Sequence, residues 1–271
     1  MAMSYFFLDN SYGDESVDIR DTTAIASFTA SEGLRDDLHI LREKLRVPNE
    51  EGQLPRPRLN ELLTKSILQY SATLVIGRAG TGKTTLAANF ARNQENVAWY
   101  TVESSEIDWN VFSQYLAAGI TDTIGEKSRV AVKRTKNGES SSLAIPQFLI
   151  EIFAQVETVL RDEPLLIVLD DIHRIFDADW FGDFFNLLLY SLPLNTHLLL
   201  LCRSKPPGPL WRLRSKQVLN VIDESLLAFT AAETTELFDR LDLPEKLAKA
   251  SQAAALGRIA KILQFAGKGS T

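Results

Sequence analysis

Three short stretches carry residue types at spacings that could do chemistry. Gly77-Arg-Ala-Gly-Thr-Gly-Lys-Thr84 fits G-x-x-x-x-G-K-[ST] at every fixed position. Its glycines reach φ values closed to other residues. Gly77, Arg78, Ala79, Gly80, Thr81 and Gly82 can therefore turn successive N–H groups inward around a phosphate, while a helix opening with Lys83, Thr84 and Thr85 adds its positive end. Lys83 then supplies a point charge for the β- and γ-phosphates, and the Thr84 hydroxyl is placed to ligate Mg²⁺. The second stretch, Leu165-Leu-Ile-Val-Leu-Asp-Asp171, ends five aliphatics in two acids. Beside a phosphate loop, Asp170 is expected to hold the Mg²⁺ water shell and Asp171 to orient an attacking water. The third is Arg203, which follows His197-Leu-Leu-Leu-Leu-Cys202. Its guanidinium could read a γ-phosphate through paired hydrogen bonds or simply salt-bridge to an acid.

These residues need a scaffold that brings strand ends together. Thr73 to Ile76 reads as a strand entering the glycine loop, and Thr84 to Arg92 as the helix leaving it. Val97 to Val102, Leu165 to Asp170 and His197 to Cys202 are further apolar strands, so the alternation with helices predicts an α/β fold with a parallel sheet covered on both faces. Acids and Arg203 at strand carboxyl ends then share the edge where such sheets bind ligands. Asp108 is placed to cap a helix with Trp109, Phe112, Leu116 and Ile120 along one stripe. Pro146 is expected to start a helix that ends before Pro164, and 180–192 to form another. Lys205-Pro-Pro-Gly-Pro209 is expected to end regular structure, leaving Trp211 to Leu219 as a mixed basic and apolar segment. Thr230 and Glu233 form a capping box for a helix buried through Leu237, Phe238 and Leu241, and Pro244 to Phe265 holds at least one more helix.

The chain has 271 residues, is 45% hydrophobic and carries a net charge of −6, which suits one large or two small domains and argues against a nucleic-acid surface spread over the whole molecule. The divisions expected are an N-terminal extension at 1–50, a phosphate-loop domain at 51–225 and a helical extension at 226–271. Residues 1–30 are acidic and without a sustained period, whereas Leu34, Leu38, Leu41 and Leu45 place a helix after Ser31. Pro48 and 52–57 read as a linker. The five bases from Lys127 to Lys136 read as a solvated loop rather than a phosphate contact. Cys202, the single cysteine, excludes an internal disulfide and reads as buried and inert. His173 reads as a helix-start residue, since no metal-ligand spacing accompanies it. No apolar run approaches a membrane span and the N-terminus lacks a signal pattern, so a cytoplasmic, soluble protein with no membrane partner is expected.

The order of RPRLNELL (Arg56 to Leu63), GRAGTGKTTLAANFA (Gly77 to Ala91), VAWYTVE, LLIVLDDIHRI (Leu165 to Ile175), LLLLCRSKPPGPLWRLR (Leu198 to Arg214) and FTAAETTELF (Phe229 to Phe238) resembles the nucleotide-binding module of MalT-like, large LuxR-type transcriptional regulators, which belong to the STAND class of P-loop ATPases. The resemblance covers about residues 47 to 240. It implies a RecA- or AAA-like sheet, ATP/ADP and Mg²⁺ as cofactors, an arm that sets Arg56 and Arg58 near the adenine, and Arg203 as a γ-phosphate sensor. It also implies a closed state held by ADP that opens and assembles with itself or a protein partner when ATP and an inducer bind. Family members continue through a helical domain with a Gly-x-Pro phosphate contact, a winged helix, a sensor array and a helix-turn-helix. Here the matching helix reads Leu256-Gly-Arg-Ile-Ala260, without the proline, and the sequence ends at Thr271. DNA binding is therefore not expected within this chain, which is either a stand-alone module or a fragment of a longer regulator. A nucleotide-operated regulatory ATPase with slow hydrolysis is the favoured function. The alternatives are a P-loop phosphotransferase on a small acceptor and a scaffold that holds nucleotide without turnover.

Overall fold

Five short runs of β-branched and aliphatic residues pair side by side, all parallel, in a computed structural model that describes residues 40–49, 53–125 and 141–269. The strands are β1 (Ala72–Ile76), β2 (Val97–Thr101), β3 (Leu165–Asp170), β4 (Thr196–Cys202) and β5 (Leu219–Ile222), in the spatial order β2-β3-β4-β1-β5. Central β3 and β4 are buried along their whole length, as near-continuous apolar runs require when helices cover both faces. Successive side chains divide between those faces. Leu166 and Val168 join Val75, Trp99, Leu199 and Leu201 in one core cluster. Ile167 and Leu169 meet Leu116, Phe148, Ile152 and Leu188 on the other side.

The first face is covered by α1 (Pro57–Gln69) and α2 (Lys83–Ala91), through Leu59, Leu63, Leu86 and Phe90. The second is covered by α3 (Trp109–Ile124), α4 (Ser141–Leu160) and α5 (Phe181–Ser191). Trp109, Phe112, Phe148, Trp180 and Phe184 make a chain of tilted and edge-on ring pairs there, with centroids 4.8 to 6.2 Å apart. Asp108 caps α3 as expected, accepting from the Asn110 and Val111 amides. Beyond β4 come two short helices, α6 (Gly208–Arg212) and α7 (Glu224–Leu227), with β5 between them. The capping box of Thr230 and Glu233 then opens α8 (Ala231–Arg240), followed by α9 (Glu245–Ala255) and α10 (Ile259–Gly269). These three helices share a small core of Leu54, Phe229, Phe238, Ala248, Ala255 and Ile262.

Four expectations need correction. Pro146 does not start its helix but lies inside α4, which begins at Ser141. Proline forfeits only one helical hydrogen bond there, and the fully buried Ile145 keeps the turn before it against the core. The linker at 52–57 ends one residue earlier than read, because Pro57 occupies the first helical position of α1, where a missing N–H costs nothing. Pro-rich 205–209 interrupts regular structure only briefly before α6. Leu241 does not join the buried face of α8 and is 46% exposed. Of the helix expected after Ser31, the described part is a 3-10 turn at Arg42–Leu45, where Lys44 reaches inward to the buried Glu106 at 2.5 Å; its earlier residues and the bases from Lys127 to Lys136 lie outside the described residues.

Candidate functional site

β1 delivers the chain to the carboxyl edge of the sheet, and the glycine loop folds there because two of its glycines take positive φ, Gly80 at 73° and Gly82 at 85°. Neither position suits an L side chain. At Gly80 space forbids one as well, since an added Cβ would stand 2.7 Å from the Ala260 Cβ. α2 begins at once, with Lys83 as its first residue.

Lys83 is 6% exposed, and its Nζ donates to the carbonyls of Gly77 at 2.6 Å and Arg78 at 3.1 Å. Burial lowers its pKa, while the charges of Asp171 and Asp170 work the other way. At the second residue of α2, the Thr84 hydroxyl donates to Asp170 Oδ2 at 2.9 Å, and the Asp171 amide donates to Asp170 Oδ1 at 2.8 Å. Asp170 is 4% exposed, and burial pushes its carboxyl up to about 6 against the pull of the Thr84 hydrogen bond. Asp171 sits in the left-handed region at φ 58° and turns its carboxylate the other way. It accepts from Arg203 Nη2 at 3.0 Å and from Arg174 Nε at 3.4 Å, with His173 Nδ1 3.6 Å away. His173 thus lies in a 3-10 turn at the rim of the site, a helix-start position as expected.

The loop faces a cleft of about 780 Å³. Ala79, Gly80, Gly82, Lys83, Thr84 and Thr85 form its floor. Asp171 and Arg203 stand at one end, and Arg56 lies on its wall. The structure thus brings nine of the expected site residues into one concavity. Asp170 lies beneath Thr84 rather than in the lining. Gly77 contributes its carbonyl to Lys83. Arg78 is turned away onto Glu224, with Nη2 to Oε1 at 2.7 Å, and shares a second cavity of about 390 Å³ with Thr81. Arg58 does not reach the cleft either, and donates to the Leu226 carbonyl at 2.9 Å.

Sequence reasoning missed the opposite wall. Phe229, Leu237, Leu241, Ile259 and Leu263 come from the helical extension and give the cleft an apolar side. The helical spacing of Leu237, on α8, and Leu241, at its C-cap, was the available signal, but a period of 3.6 does not distinguish a face turned to a core from one turned to a cleft. Asn89, on the second half of α2, and Asn93, in the turn that follows it, also line it.

A backbone cradle, a buried ammonium group and a hydroxyl–carboxylate pair at a helix start suit a nucleoside polyphosphate with its metal. Thr84 and Asp170 fit Mg²⁺, which takes one or two protein oxygens and completes its shell with water and phosphate. Among the described residues no group of three or more His, Cys, Asp or Glu forms a competing metal cluster. Residues 35–201 match the family described as AAA ATPase domain. The chain belongs to that family. MalT, the HTH-type transcriptional regulator of Vibrio cholerae, is 31% identical over 185 residues, or 68% of this chain and 20% of MalT; the Yersinia enterocolitica MalT is 32% identical over 190 residues, with the same coverage. The chain thus spans about one fifth of the length of these relatives. Among solved structures, a STAND protein of Pyrococcus horikoshii with a tetratricopeptide repeat sensor superposes with a TM-score of 0.57 at 17% identity, over 81% of this chain and 30% of that one. This AAA ATPase domain therefore has the parallel P-loop sheet expected, and among its described residues no helix is long and apolar enough to cross a membrane.

Proposed function

We infer that this AAA ATPase domain is an ATP/ADP-binding regulatory module of a MalT-like, signal-responsive regulator, in which slow Mg²⁺-dependent hydrolysis resets a conformational switch. The observation that carries this reading is the two-sided cleft. Phosphates would sit on the loop of one element while the nucleoside lies against another, which reaches that loop through a hydrogen bond from the Ala260 amide to the Gly80 carbonyl at 3.2 Å. A ligand that contacts two elements differently in its di- and triphosphate forms can bias their arrangement. When bound, Mg²⁺ would neutralise phosphate charge and fix phosphate geometry. Thr84 and Asp170 would hold it, Lys83 would leave the loop carbonyls for phosphate oxygens, and Arg203 would exchange Asp171 for the terminal phosphate. Asp171, relieved of Arg203 but still held by Arg174, would orient the attacking water without taking its proton, so turnover would be slow. A cytoplasmic setting and assembly with itself or with a protein partner belong to the same reading.

Calorimetric titration and turnover assays test it. Lys83→Ala is expected to abolish ATP and ADP binding, and Asp171→Asn to spare binding and slow hydrolysis. Affinity unchanged by the Lys83 substitution would overturn the reading. Mass spectrometry for co-isolated nucleotide, followed by the size of the protein in ATP and in ADP, tests the switch itself.

A further inference from the structure

Arg56 and Arg58 flank the first residue of α1, and the geometry points to a task for them other than touching nucleotide: they clamp the joint on which the helical extension is hung, with Glu233 as their shared counter-ion. Arg56 spends four hydrogen bonds there. Nη1 donates to the Leu227 carbonyl at 2.9 Å, Nη2 to the Ala228 carbonyl at 2.9 Å and to Glu233 Oε2 at 3.0 Å, and Nε to Glu233 Oε1 at 3.2 Å. A guanidinium has five N–H donors, so at most one is left for a ligand in the cleft. Arg58 adds bonds to Leu226 and Ala228 at 2.9 and 3.1 Å. The carbonyls concerned close α7, where a helix has no partners of its own to offer them.

The ion pair is sheltered, with side chains 10% and 12% exposed. Burial lowers the pKa of Arg56 despite Glu233. Burial works to raise that of Glu233, but Arg56, the Thr230 amide and Arg58 outweigh it and hold the carboxyl below the usual range. Glu233 is also the reciprocal half of the α8 capping box, accepting from the Thr230 amide at 2.8 Å. One carboxylate thus fixes both the start of α8 and the arginines of α1. The Arg56 guanidinium lies over the Phe229 ring at 4.1 Å. From Phe229 the path runs on to the phosphate loop: its amide donates to the Gly257 carbonyl at 2.8 Å, and just beyond Gly257 the Ala260 amide reaches Gly80. The clamp therefore sets where Phe229, Ile259 and Leu263, the apolar wall of the cleft, stand against the loop.

The binding part of this inference rests on the nucleotide reading above; the structural part does not. Glu233→Gln removes the charge while keeping an acceptor for the Thr230 cap, and Arg56→Met removes the guanidinium; both are made in the full chain, singly and together. Hydrogen exchange of the Phe229 and Ala260 amides is expected to accelerate in each variant. ADP affinity should fall about tenfold, the size of coupling typical of contacting groups, with the double variant close to the worse single one. Affinity for inorganic triphosphate, which has no nucleoside to meet the apolar wall, should stay within about twofold in Glu233→Gln, because the phosphate loop is intact. Exchange unchanged in Glu233→Gln overturns the clamp. So does loss of ADP affinity in Arg56→Met with wild-type behaviour in Glu233→Gln, which would make Arg56 a direct nucleotide contact. Should the wild-type chain bind no nucleotide, the nucleotide reading fails, and the exchange rates still decide the clamp.

Discussion

At the scale of single residues, the site stores a cost in Asp170. A carboxylate that is 4% exposed and held by one hydroxyl and one amide has lost most of its hydration, and its pKa of about 6 expresses that loss. Because the folded value lies above the unfolded one, the neutral acid favours folding. The penalty begins to grow near pH 4, is complete above about 6 and has no effect below both values. Asp170→Asn should therefore stabilise the metal-free, nucleotide-free protein by on the order of 1–3 kcal/mol at pH 8, with the gain shrinking as the pH falls from 6 towards 4. Thermal melts of both proteins across that range measure it. Equal melting points at pH 8 would mean that the carboxylate is hydrated after all. The same substitution should remove any Mg²⁺ dependence of nucleotide binding, so stability and function oppose each other at this position.

At the scale of elements, His197 shows how the central strands are fixed to one another. Its Nδ1 meets the Tyr70 carbonyl at 2.9 Å and its Nε2 the Thr73 hydroxyl at 2.9 Å. Thr73 in turn pairs with Ser66 at 2.6 Å, and Asn220 donates to Ser66 at 2.9 Å. α1, β1, β4 and β5 thus meet in one buried polar chain. Burial pushes the His197 pKa down to about 4 against the Tyr70 hydrogen bond, so the unfolded chain, with a value near 6.5, takes up the proton first as the pH drops. Stability should be full above pH 6.5 and fall by up to about 3 kcal/mol towards pH 4. His197→Gln, whatever its own cost, should flatten that slope in denaturant titrations at a series of pH values. β5 is the strand that the sequence concealed. Leu219–Ile222 has four residues, half-buried in the middle, and follows a basic segment; its identity comes from pairing with β1, which no local pattern reports. β3 and β4 were legible because burial on both faces leaves an unbroken apolar run, and α8 because a capping box is a local device. The phosphate loop and Thr84 fit a fixed residue pattern, and Asp170 was legible as the acid that ends an apolar strand beside that loop; the structure pairs it with the Thr84 hydroxyl at 2.9 Å. The Arg56–Glu233 pairing could not, because the two residues lie 177 positions apart.

For the molecule as a whole, the cleft is the joint between two cores. The sheet and its flanking helices form one, Leu54 with the extension forms the other, and the lining of the cleft draws on both. A ligand gripping the loop and leaning on Phe229 and Leu263 should therefore tie the two together as it stabilises them. At 100 times its dissociation constant, Mg²⁺-ADP is expected to add about 2.7 kcal/mol, which for a protein of this size raises the melting temperature by roughly 5–10 °C. The tryptophans, Trp99, Trp109, Trp180 and Trp211, all precede the extension, so their fluorescence follows the sheet core, whereas exchange of the α10 amides follows the extension. Both probes should shift together in Mg²⁺-ADP. In Lys83→Ala neither should move, because the phosphate grip that draws the ligand into the cleft is gone. A shift confined to fluorescence would place the ligand on the loop alone and leave the extension as a bystander, and the switch would then have no element to act on.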